Sequence, residues 1–331
     1  MRFRSPMRFW YLYVVSFFVV WIGLVAGGGY WSAVRTHWPI SLVMVLGSLV
    51  AGSTPMGGGT VAFPFLVLGL GQPPDSARNF GLAIQALGMT SAMIFILCRR
   101  IPIQGRMLIW SGVGATCGVV LGSLLIAPYV AASVVKLLFS CVWMSFGVLT
   151  LAKNREICSL DGMPQIAPAS ATTAGLGAGL IGGVIASMIG VGVEMALYTV
   201  MVMLYRYDLK IAIPTAVSAM AIASVVGIGL HAVIGDIERE VLLNWLAAAP
   251  VVIFGAPLGA FLASVIPRLK ILYFVSALCI VQFTLTLKQV APTGAQWLFV
   301  AAAMLAAGAA LYSLYRVGKA KAEGLVLEEG Y

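Results

Sequence analysis

A chain of 331 residues that is 61% hydrophobic and 9% charged, with a mean hydropathy of +1.02, cannot cover a water-facing surface; an average soluble domain carries about a quarter charged residues. The net charge of +9 does not point to nucleic acid, because the basic residues sit in short gaps between apolar runs and form no stripe with interleaved aromatics. The five cysteines (Cys98, Cys117, Cys141, Cys158, Cys279) are scattered without a CxxC or paired spacing, so neither a disulfide framework nor a metal site is expected, and no cofactor.

The first apolar run, Trp10 to Gly27, follows Arg2, Arg4 and Arg8. It exceeds the apolar core of a signal peptide, and Trp10, Tyr11 and Tyr13 at one end face Tyr30 and Trp31 beyond the other, like an interfacial belt. Residues 1–37 are therefore expected to form a transmembrane helix and an outer loop, with His37 at the headgroups. Residues 38–71 read differently: an apolar stretch, then Ser53-Thr54-Pro55-Met56-Gly57-Gly58-Gly59, then a second short apolar stretch. Full spans, which need roughly 20 residues each, follow near 79–97, 107–127 and 131–152. After a linker over 156–169, residues 170–205 repeat the broken plan around Ile189-Gly190-Val191-Gly192-Val193-Glu194. Further spans are expected near 212–234, 243–266, 270–288 and 295–315, and a polar, disordered tail over 316–331.

The arms of the broken regions are short for a span and suit re-entrant hairpins. If each hairpin returns to the face it entered, 15 of the 20 basic residues fall on one side and 5 (Arg35, Arg78, Lys136, Arg239, Lys288) on the other. Full crossings would instead move Arg99, Arg100 and Arg106 outside, against the positive-inside rule. The expected architecture is thus an all-α polytopic membrane protein with both termini cytoplasmic. It has two repeats, 38–155 and 170–290, each a hairpin plus three transmembrane helices, with one extra helix at each end (the last within 291–331). Three crossings per repeat make the second copy inverted. Gly114, Gly118 and Gly122 in one half match Gly255, Gly259 and Ala263 in the other, and small residues four apart let helices approach closely in lipid.

Chemistry is expected where the two hairpin tips meet near the midplane. Irregular backbone at that depth needs protein or water around it. The second arm of each hairpin starts at its tip, so its free N–H groups would face an anion there. Gly57, Gly58, Gly59, Gly190 and Gly192 allow close approach of a ligand to backbone, and Ser53 and Thr54 add hydroxyls. A tight structural turn would explain the same glycines. Glu194, the only charge between Asp161 and Arg206, reads as a proton-coupling group or as a helix-end carboxylate satisfied by local N–H groups. Asn79, Gln85, Thr215 and Ser218, on the helices after each hairpin, could complete a cavity or serve helix packing. Arg78 reads as an anion-attracting charge or an interfacial anchor.

Gly57-Gly58-Gly59 followed by Pro64, then Pro73-Pro74, with a second copy at Gly190-Val191-Gly192, resembles the sulfite exporter TauE/SafE family of membrane permeases over roughly 41–290. The pattern departs at Arg78-Asn79-Phe80, where a small-hydroxyl pair is typical, and at Val193-Glu194. The resemblance implies secondary transport of a small anion, sulfite or an organosulfonate, across the bacterial inner membrane, coupled to an ion gradient. Expected partners are that anion, protons and the lipid bilayer, with no nucleic acid and a homo-oligomer left open. A passive anion channel on the same scaffold is the alternative, which an anionic Glu194 at the site disfavours. No His/Glu metal pair, Ser/His/Asp set or nucleotide-binding motif supports an enzyme.

Overall fold

The computed structural model describes residues 7–328; Arg2 and Arg4, counted above with the cytoplasmic charges, and tail residues 329–331 lie outside the described residues. All regular structure among the described residues is helical, since without water each backbone N–H must be satisfied within its own segment. In chain order come α1 (Arg8–Gly27), α2 (Trp31–Thr36) and α3 (Trp38–Ser53); then α4 (Gly59–Pro64), which runs into a π turn (Phe65–Gly69), and α5 (Pro74–Cys98). They are followed by α6 (Gly105–Leu121) with a π turn (Gly122–Ile126), α7 (Ala132–Ala152), α8 (Asn154–Cys158) and α9 (Pro168–Ile189). The rest are α10 (Val193–Thr199) with a π turn (Val200–Leu204), α11 (Leu209–Ile234), α12 (Arg239–Val265), α13 (Arg268–Val290) and α14 (Ala295–Glu328).

Among the described residues nine helices are long and apolar enough to cross a membrane: the eight expected and α9. At 22 residues α9 is longer than the short arm expected of it. Its glycines cost helix propensity in water, but in this packing they admit the α6 backbone: a Cβ on Gly175 would lie 2.8 Å from Met107 O, and one on Gly183 3.0 Å from Ala115 Cα. The expected disordered tail is also corrected. Helix α14 continues to Glu328, held where Glu156 accepts hydrogen bonds from Tyr315 and, at 3.3 Å, from Lys319, and where Gly318 lets it close on Leu204. Helix α1 is bound into the bundle by Trp10 Nε1 donating to Ser91 Oγ at 3.0 Å and Trp21 Nε1 donating to Leu246 O at 2.9 Å.

The same packing plan occurs twice. Helix α3 lies against α12 and α9 lies against α6, while α5 crosses α11 and α7 pairs with α13. Gly259 of α12 sits so close to α3 that a Cβ there would be 3.0 Å from Ser53 N. Both ends of the α3–α4 segment meet one carboxylate: His37 Nε2 lies 2.9 Å from Glu240 Oε1, and Gln72 Nε2 donates to the same oxygen at 3.4 Å. His37, expected at the headgroups, is thus engaged by Glu240. Around this Glu240 end, Arg78 pairs with Asp75 and Asp236, each at 3.2 Å, and His231 Nδ1 lies 2.9 Å from Asp236. The ends of the α9–α10 segment likewise adjoin each other, with Tyr205 OH donating to Ser170 O at 3.3 Å.

The opposite end is closed by Arg268, which donates to Asp208 at 2.6 and 2.9 Å and to Asp161 at 2.5 Å. Burial opposes the charge on Asp208, but the Arg268 guanidinium and the Lys210 N–H outweigh it and hold the carboxyl below the usual aspartate range. A depressed pKa contributes stability that is complete above the unfolded value of 3.8 and is lost as pH falls through the folded one. Detergent-solubilised protein should therefore lose thermal stability below about pH 4, with a shallower acid dependence in Asp208→Asn. Identical pH profiles of melting temperature for the two proteins would remove Asp208 from this role.

Candidate functional site

The two breaks meet. Helix α3 stops because Thr54 is extended (φ −139°, ψ 162°) and Pro55 has no N–H to continue the ladder. Thr54 Oγ1 takes over locally, donating to Val50 O at 2.8 Å and accepting from Met56 N at 3.3 Å. Gly57 then adopts φ +70° and turns the chain into α4. On the other side α9 ends at Gly190, whose N–H bonds to Ala186 O at 2.8 Å, and Gly192 at φ +146° starts α10. L-residues rarely adopt these φ values.

Gln85 joins the breaks. From the middle of α5 its Nε2 donates to Gly81 O and to Gly190 O, both at 2.8 Å. A Cβ placed on Gly57 would lie 2.7 Å from Gln85 Oε1 and closer still to Glu194 Oε1; one on Gly59 would lie 2.8 Å from the Val191 side chain. Glu194 is fully buried, and its Oε2 accepts from Gly192 N at 3.3 Å. Glu194 Oε1 and Gln85 Oε1 are buried with no hydrogen-bond partner among the described residues. Two acceptor oxygens thus converge on Gly57 with nothing donated to them, and unpaired buried acceptors are costly.

The meeting point gathers Gly57, Gly59, Gln85, Gly190, Gly192 and Glu194, but not every residue expected there. Ser53 Oγ donates to Leu49 O at 2.6 Å. A Cβ on Gly58 would face Ala51 and Met44 of its own segment. Ser53, Thr54 and Gly58 therefore build the first break rather than line its contact with the second. Asn79 belongs to the Glu240 end, where its Nδ2 donates to Asp236 O at 3.0 Å. Thr215 accepts from Gln104 N at 3.0 Å, ahead of α6, and Ser218 donates to Pro214 O at 2.7 Å within its own helix. Arg78 is held in its ion pairs, and a Cβ on Gly190 would lie 3.0 Å from the Arg78 carbonyl.

The positive-inside count takes Lys136, within the span expected over 131–152, only as an orientation charge. It lies near the start of α7, half-buried, in a cavity that also touches Gly59 and Val191 beside the meeting point. The signal was present: Lys136, Ser140 and Trp143 fall at i, i+4 and i+7, one face of a helix.

A family model described as Sulfite exporter TauE/SafE matches residues 40–285. No curated protein and no solved structure matches the chain.

Proposed function

Because the chain belongs to the sulfite exporter TauE/SafE family, a family of membrane permeases, we propose that it is a secondary transporter that couples a small anion, sulfite or an organosulfonate, to protons across the bacterial inner membrane. In this reading α3–α4 and α9–α10 are re-entrant hairpins of two inverted repeats, 38–155 and 170–290. The doubled packing plan supports it, as does the way each pair returns to the end it left. Charge then orients the bundle, with the Arg268 end and both termini cytoplasmic.

The observation that carries the coupling is Glu194: a fully buried carboxyl with one oxygen unpartnered among the described residues, at a contact between the two breaks that also includes an unpartnered amide oxygen. In its neutral form the carboxyl gains a hydrogen and so supplies a donor where two acceptors have none. Ionised, it would repel an arriving anion. Proton and anion occupancy are thereby linked through one group. In the helix-end alternative the N–H groups of Gly192, at 3.3 Å, and of Glu194 itself serve the carboxylate, but Oε1 is left without a hydrogen-bond partner among the described residues.

The test is reconstitution into liposomes loaded with a pH-sensitive dye, challenged with sulfite, ethanesulfonate, sulfoacetate and acetate, with protein-free liposomes to subtract passive permeation. Protein-dependent proton movement with the sulfur oxyanions alone is the expected result. Electrogenic anion flux without proton movement would instead identify a passive channel.

A further inference from the structure

Beside the meeting point lies a half-open cavity of about 30 Å³, room for roughly two or three waters, so that a larger occupant would have to part its walls. One wall is α7 and the opposite wall α13; Gly59, Thr60 and Phe63 of α4 and Ile189 and Val191 of the second break close it. Lys136 stands in it as a cation without an ion pair among the described residues, its Nζ 4.0 Å from the centre of the Phe63 ring. The nearby carboxylate, Asp75, is engaged by Arg78 at 3.2 Å.

A second, independent observation points to a ligand. Trp143 lines the same cavity, is 1% exposed, and its indole N–H has no acceptor among the described residues. That group can only donate, and leaving it unmatched is unfavourable unless an acceptor arrives. Facing it, Gln282, Thr286 and Gln289 repeat the i, i+4, i+7 spacing on α13. Between these polar rows Phe63 and Phe139 supply aromatic surface. The donors and the cation fit an oxyanion head, and the rings fit a short hydrocarbon body. A bare oxyanion has nothing to place on those rings.

We propose that this cavity holds the carried anion, with Lys136 as counter-charge and the Trp143 indole N–H as donor, and that its aromatic wall favours a short-chain organosulfonate over sulfite. The assignment rests on the carrier reading above. It places the anion beside the Gly57–Glu194 contact, where the charge on an ionised Glu194 opposes its binding.

Calorimetric titration of the purified full chain with ethanesulfonate and with sulfite, alongside liposome transport, tests the assignment. Wild type should bind ethanesulfonate at least about ten-fold more tightly than sulfite. Lys136→Gln should weaken both by about thirty-fold or more, with Lys136→Arg retaining most of the affinity. Phe139→Ala should weaken ethanesulfonate alone and so bring the two affinities together. Should Lys136→Gln not be recovered folded, Trp143→Phe, which removes only the donor, should weaken both anions about five-fold or more. Unchanged affinity in Lys136→Gln or, failing that variant, in Trp143→Phe, with wild-type transport intact, overturns the site while leaving the carrier standing. A selectivity that survives Phe139→Ala overturns the aromatic wall. A wild type that neither binds nor moves any of these anions overturns the carrier reading and the site with it.

Discussion

Replacing Gly57 with alanine should lower the initial rate of anion transport by at least about a hundred-fold in liposomes, with protein still recovered from the membrane. Two effects combine. Left-handed backbone costs an L-residue roughly 1–2 kcal/mol, and Gly57 has φ +70°. The new methyl would also fall 2.7 Å from Gln85 Oε1 and closer to Glu194 Oε1, so the two breaks would have to separate. Displacements of about 1 Å at a reacting geometry are worth about a hundred-fold. Gly58→Ala is the matched control: its φ is −69°, and its Cβ would meet Ala51 at 3.4 Å, an ordinary contact. It should transport within about two-fold of wild type. Equal losses in both variants would mean that the turn matters only for folding.

The second large effect concerns Glu194→Gln, which keeps shape and removes the titrating proton. One-for-one coupling of a proton to a monovalent anion lets a one-unit pH gradient hold about ten-fold accumulation, since one unit is worth about 1.4 kcal/mol. The variant should show no gradient-driven accumulation, while exchange of labelled for unlabelled anion persists within about three-fold. Accumulation at the wild-type level would return Glu194 to a structural role at the start of α10.

The spans were legible in the sequence because lipid leaves the backbone so few choices, and apolar runs of about twenty residues mark them. The breaks were legible too, since Ser53 to Gly59 combines a proline with three consecutive glycines. Glu194 stood out as a lone charge. What sequence could not supply was rotational phase across helices. Asn79 and Gln85 are both polar residues on α5, yet Gln85 reaches Gly190 and Asn79 turns to Asp236. Thr215 looked like a cavity hydroxyl, but the loop before α6 claims it. Lys136 counts as one outer charge among five in the sequence, and only the α7 packing shows that it shares a cavity with Trp143. The full length of α9 was missed because a break at Gly190 was expected to leave only short arms on either side, whereas α9 runs 22 residues before it.

The α7–α13 pair is parted at one end and shut at the other. Near the Glu240 end it encloses the Lys136 cavity; toward the Arg268 end Thr150 Oγ1 meets Ser276 Oγ at 2.9 Å, and Gly147 packs on Cys279. Phe146 and Tyr198, with ring centres 5.6 Å apart, fill the space between. Lys136 and Thr150 are fourteen residues apart, about 21 Å along the helix. In the carrier reading, water entering the cavity would carry the electrical potential of its own face inward, so that the membrane voltage would fall across that shut seam. A unit charge crossing the full potential exchanges about 2.3 kcal/mol per 100 mV. In the carrier reading, an anion beside Lys136 would lie across little of the field from the Glu240 end, so its passage between Lys136 and the Arg268 end, in either direction, would be the voltage-sensitive step.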